Sequence, residues 1–146
     1  MTYDCTNDVR THQMDVHIRL GQFSQELFFR GNVHDESKLT EPEKSCYDQW
    51  KPILEVTPFG TPEYDAAVKQ MGEGLAAHFR NNSHHPEHYT NGIDGMNLFD
   101  LVEMYCDWMA VSGRKGVPLA LDYLSKKFNL SPQLKQIIAN TVQDNA

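Results

Sequence analysis

Paired cysteines, long apolar runs, strand-like alternation and net positive charge are all missing from this chain, and each absence removes a class of protein. Three cysteines, Cys5, Cys46 and Cys106, are scattered over 146 residues. An odd number with no C-x-x-C pair supports neither a disulfide scaffold nor a zinc ribbon. Reduced thiols point instead to a cytoplasmic protein. No apolar run approaches the ~20 residues that cross a bilayer, and the first ten residues have no apolar signal region. The expectation is a soluble protein with no membrane partner. The net charge of −7 repels phosphate backbones and argues against non-specific nucleic-acid binding. It does not exclude a small phosphorylated ligand, because a bound metal inverts the local field. A Gly-rich phosphate loop, a G-x-S-x-G elbow and an H-E-x-x-H motif are also lacking.

What is present reads as helix. The chain is 40% hydrophobic and 23% charged, enough for one folded domain over residues 1–146. The pattern predicts an all-α, compact bundle of about six or seven helices. Its core would lie in 11–113, with C-terminal helices over 117–142. A first helix is expected from Thr11 to Arg30, stopped by Gly31. A short second one begins near Val33. Thr40-Glu41-Pro42-Glu43 carries a cap, an early proline and a dipole-compensating acid, and starts a third helix through Trp50. Pro52, Pro58 and Gly60 then break the chain. Thr61-Pro62-Glu63 opens a fourth helix reaching Arg80. From Asn81 to Met96 the Pro, Asn and Gly content predicts an irregular loop. Asn97, with Asp100 three residues on, caps a fifth helix ending near Gly113. Pro118 to Phe128 and a segment from Ser131-Pro132 complete the set.

The seven histidines all fall between His12 and His88. His17 stands alone in the first helix. His34-Asp35 forms a doublet with Lys38 one turn on. His78, His84, His85 and His88 crowd the end of the fourth helix and the loop after it, with Arg80 and Asn82 between them able to hold an anion. Imidazole and carboxylate are the usual ligands of divalent transition metals. On the fifth helix Leu98, Leu101, Val102, Tyr105 and Met109 form an apolar stripe. Asp100, Glu103 and Asp107 share the opposite side within roughly 60° of arc. That acidic face is flanked by Phe99, Cys106, Met104 and Trp108, so the helix is apolar nearly all round and Asp107 is placed toward a site rather than toward water.

In this order the residues resemble the HD-domain superfamily of helical, metal-dependent phosphohydrolases. His34-Asp35-Glu36-Ser37-Lys38 is similar to its H-D-x-x-K signature. The stretches from His84 to Met96 and from Leu101 to Ala110 resemble more specifically a small phage and bacterial family of unknown function. The superfamily resemblance implies that His17, His34, Asp35 and Asp107 hold a first metal. Asp35 would bridge to a second, held by His78 and by His84 or His85. Lys38 and Arg80 would neutralise a phosphate, with Glu103 or Asp100 orienting the imidazoles. The implied cofactor is one or two ions of Mn, Fe, Co, Ni or Zn, and the implied substrate is a nucleotide or other small phosphoester. The same ligand set also resembles HD-type di-iron oxygenases, and a non-catalytic metal- or nucleotide-binding protein is a further alternative.

Overall fold

A computed structural model of the chain describes residues 3–144. It holds seven α-helices, and no strand occurs among the described residues. The all-α expectation is therefore met. The chain divides into two compact units at His34/Asp35.

The N-terminal unit is one helix, α1 (Thr6–Val33), which ends at His34 and buries none of its residues. It does not stop at Gly31. A glycine inside a helix costs only about 1 kcal/mol relative to alanine, and α1 runs through both Gly21 and Gly31. The stop comes where Asp35 turns into the left-handed region, at φ 59° and ψ 14°.

The second unit opens with a 3-10 turn, Glu36–Leu39. It is followed by α2 (Glu43–Val56), α3 (Pro62–Gln70), α4 (Gly72–Asn81), α5 (Leu98–Lys115), α6 (Leu121–Lys127) and α7 (Pro132–Asp144). Pro52 does not break α2. Proline removes one N–H donor, and Asp48, whose carbonyl loses that donor, is exposed to water along with Pro52. The expected single helix from Thr61 to Arg80 is split, because Gly72 takes φ +54° and redirects the chain between α3 and α4. The segment from Asn81 to Met96 is more regular than expected: it contains 3-10 turns at Pro86–His88 and Gly92–Gly95. Asn97 and Asp100 form the expected capping box, with Asn97 Oδ1 accepting from the Phe99 and Asp100 N–H groups.

Within this unit α2 packs on α3, α4 and the first 3-10 turn, and α6 packs on α7. Apolar burial is modest: Ala67, Met71, Ala77, Met104, Leu124, Leu130 and Ile138 are buried. The largest fully buried side chains are Met104, His78, His84, Glu43 and Asp100. Four of these five are polar, and buried polar groups are costly without partners. The best-protected part of the unit is thus a polar centre.

Candidate metal centre

Four side chains from three segments meet in that centre. Asp35 comes from the turn after α1, His78 from the last turn of α4, and His84 and His85 from the loop beyond it. One donor atom from each lies within 4.8 Å of the others. Asp35 Oδ1 is 3.4 Å from His78 Nε2 and 3.7 Å from His84 Nε2. His78 Nε2 and His85 Nε2 are 2.9 Å apart. Two imidazole nitrogens at bond lengths of about 2.0–2.1 Å from one ion sit roughly 2.9–3.4 Å apart for angles between octahedral and tetrahedral. Two of these three separations fall in that range and the third is slightly longer, so the group could hold a divalent transition metal.

The outer atoms of two rings are held by carboxylates. His78 Nδ1 lies 2.8 Å from Glu43 Oε2, and His84 Nδ1 lies 3.1 Å from Glu103 Oε1. Imidazole–carboxylate pairs of this kind orient metal-binding histidines elsewhere. His78 and His84 are almost fully buried. His78 and His85 pack edge-on with ring centroids 4.7 Å apart, and His84 and His85 are tilted at 43° with centroids 4.2 Å apart. Tyr47 closes another side of His78 at 5.3 Å.

Electrostatics favour the neutral form of His78 and His85, the state a metal requires. Burial, reinforced by the Lys38 charge, lowers the pKa of His78 against the opposing pull of Asp35 and Glu43. Burial and the neighbouring His84 and His78 push His85 down to about 3, and Asp107 acts on it in the opposite direction. Burial also pushes the Tyr47 hydroxyl well above its ordinary range, with the Asp35 and Glu43 charges adding to it.

A family model matches residues 1–144. The chain belongs to DUF5662, a family of unknown function. No curated protein and no solved structure matches it.

The structure sorts the residues singled out from the sequence. Asp35, His78, His84 and His85 are brought together, so both His84 and His85 lie in the group that could hold a metal. Lys38 Nζ reaches Asp35 Oδ2 at 2.5 Å and lies over the Tyr47 ring at 4.5 Å. Asp107 is half-buried on α5, near enough for its charge to act on His85. His34 caps α1 immediately before Asp35.

Two assignments need correction. His17 and His34 lie on and at the end of the uninterrupted helix α1. At a rise of 1.5 Å per residue they are roughly 25 Å apart along its axis, so they cannot ligate one ion together. Arg80 is two residues past His78 on α4, roughly 200° round the helix. It pairs with Glu73 at 2.6 Å, both side chains exposed, and does not serve as an anion clamp for the cluster.

The acidic face of α5 does turn inward, but its partners differ. Glu103 Oε1 lies 3.1 Å from His84 Nδ1. Asp100 accepts from the Ser83 and Tyr89 hydroxyls and the Asn97 N–H. Met104, between these acids, is the buried apolar residue of α5, and Leu98 is 66% exposed. Glu43 was read from the sequence only as a helix-start acid. Its role depends on His78, 35 residues away, and helix periodicity carries no signal for such a pair.

Proposed function

We propose that this protein is a metal-dependent phosphohydrolase acting on a nucleotide or another small phosphoester. One observation carries the reading. Two buried imbedded rings, His78 and His84, are each held at Nδ1 by a carboxylate while their Nε2 atoms face Asp35 Oδ1, with His85 Nε2 alongside. The resemblance of His34-Asp35-Glu36-Ser37-Lys38 to the HD signature supplies the reaction class.

Asp35, His78, His84 and His85 would hold the ion. Three imidazoles and one carboxylate suit Mn, Fe, Co, Ni or Zn better than Mg or Ca, which prefer oxygen ligands. A divalent ion held there supplies Lewis-acid polarisation of a phosphoryl oxygen and water that ionises near neutral pH. The chain's own residues do the rest. Lys38, anchored on Asp35, places an ammonium beside the donors and offsets the charge of an arriving phosphate. Burial of His78 and His84 limits water around them, which strengthens each electrostatic contact. Asp107, whose charge acts on His85, would supply a carboxylate to a second ion.

The test is elemental analysis of purified protein, followed by a panel of nucleotides and phosphoesters with added Mn(II). Bound transition metal and release of phosphate are expected. Absence of metal after loading overturns the reading. Iron-dependent oxygen uptake without phosphate release would move the protein to the di-iron oxygenases. Stoichiometric metal with no turnover on any phosphoester would make it a binding protein.

A further inference from the structure

Glu43 is almost completely buried, far from where a carboxylate is usually found. Its oxygens meet three polar partners. Oε1 takes the Asn81 amide at 2.7 Å. Oε2 takes the Ser37 hydroxyl at 2.8 Å and lies 2.8 Å from His78 Nδ1. The hydrogen bonds donated by Asn81 and Ser37 favour its ionised form.

The proton count around this carboxylate calls for a hydrogen on His78 Nδ1. The Asn82 amide nitrogen is 2.7 Å from Ser37 Oγ and 2.8 Å from the His78 carbonyl. It is also 3.0 Å from His78 Nδ1. An amide nitrogen has two hydrogens, and the first two acceptors use both. Ser37 accepts from Asn82 and spends its own hydrogen on Glu43. Nothing remains to donate to His78 Nδ1. Were that nitrogen bare, its lone pair would face an ionised carboxylate oxygen at 2.8 Å. With the proton on Nδ1 every donor has an acceptor.

We propose that Glu43 is a positioning residue of this centre: with Ser37, Asn81 and Asn82 it holds His78 as the Nδ1–H tautomer and so presents the Nε2 lone pair to the donor cluster. A consequence follows for the neighbour. With His78 Nε2 bare, the 2.9 Å contact to His85 Nε2 requires the proton on His85. In the metal-free protein His85 is therefore the Nε2–H tautomer, and that proton must leave Nε2 before Nε2 can serve as a ligand. His78 is preset for metal, and His85 is not.

The proposal rests on the metal reading for its purpose but not for its test. Long-range proton–nitrogen correlation spectra of the metal-free wild-type protein report each ring's tautomer. His78 is expected as Nδ1–H and His85 as Nε2–H; His78 as Nε2–H or as imidazolium overturns the proposal. In Glu43→Gln the amide turns an extra donor into a pocket already full of donors. The expected result is mixed tautomers at His78 and a 10–100-fold loss of Zn(II) affinity. Unchanged tautomer and unchanged affinity overturn it. Ser37→Ala, which removes one of the three bonds, should show a smaller loss in the same direction, and it serves as the deciding variant if Glu43→Gln does not fold. A wild-type protein with His78 as Nδ1–H that takes up neither Zn(II) nor Mn(II) supports the Glu43 assignment and overturns the metallohydrolase reading, so the two fail separately.

Discussion

Gly74 sets the distance between the helices that carry Glu43 and His78, and replacing it with alanine tests the whole arrangement. A Cβ built at Gly74 would lie 2.2 Å from Cys46 Cβ and 2.5 Å from Cys46 Sγ. Ordinary carbon contacts are at about 3.5–4.0 Å, so α2 and α4 must separate locally by more than about 1 Å. The Glu43–His78 contact, now 2.8 Å, would then exceed hydrogen-bonding distance. Overpacking costs about 1–3 kcal/mol. Losing a hydrogen bond to a buried charge costs about 1.5–3 kcal/mol. The helix preference of alanine over glycine returns at most about 1 kcal/mol. The net loss is about 2–5 kcal/mol, which lowers the melting temperature by roughly 10 °C for a domain of this size. Thermal unfolding followed by circular dichroism measures this, and Zn(II) titration should show weakened binding in parallel. Cys46→Gly in the same background removes both contacting atoms and should restore much of the affinity. Wild-type stability and affinity in Gly74→Ala would refute the claim that close approach of α2 and α4 organises the centre.

Asp35→Asn should fold, since Asn tolerates the left-handed conformation that Asp35 adopts, yet lose more metal affinity than any outer-carboxylate variant; calorimetric titration compares it with Glu103→Gln. Arg80→Ala, which breaks only an exposed pair with Glu73, should stay within about 0.5 kcal/mol of wild type by chemical denaturation and keep full metal affinity. Asp100→Asn places an amide donor against the Ser83 and Tyr89 hydroxyls and the Asn97 N–H, and a loss of about 1–3 kcal/mol is expected. The pH dependence follows from neutral buried histidines. The pKa of His78 is lowered, and that of His85 falls from 6.5 to about 3, so the unfolded chain binds more protons in this window. Their contribution is fully present above pH ~6.5 and is lost as pH falls toward ~3. Denaturant midpoints that rise on acidification from pH 7 to pH 5 would contradict this.

The histidine doublet, the crowded segment from His78 to His85 and the inward acids of α5 were all visible in the chain, because ligand chemistry and helical period are local properties. So were the Asn97–Asp100 capping box and the opening of α3 at Thr61-Pro62. The errors share a cause. Gly31 and Pro52 look like stops by preference alone, but each costs only what the rest of a helix can absorb. Arg80 lies in the right neighbourhood of sequence and on the wrong side of α4. His17 matches the order of ligands, yet the continuity of α1 separates it from His34.

Residue types and their spacing by themselves determined that this is a helical protein with a histidine- and carboxylate-rich centre. They could not say which donors meet. That was decided by contacts between segments distant in sequence: Glu43 on α2 reaching His78 on α4, and Glu103 on α5 reaching His84 in the loop. Burial makes each such pair obligatory, since an imidazole or carboxylate removed from water needs a partner, and only the packing of the helices determines which partner is within reach.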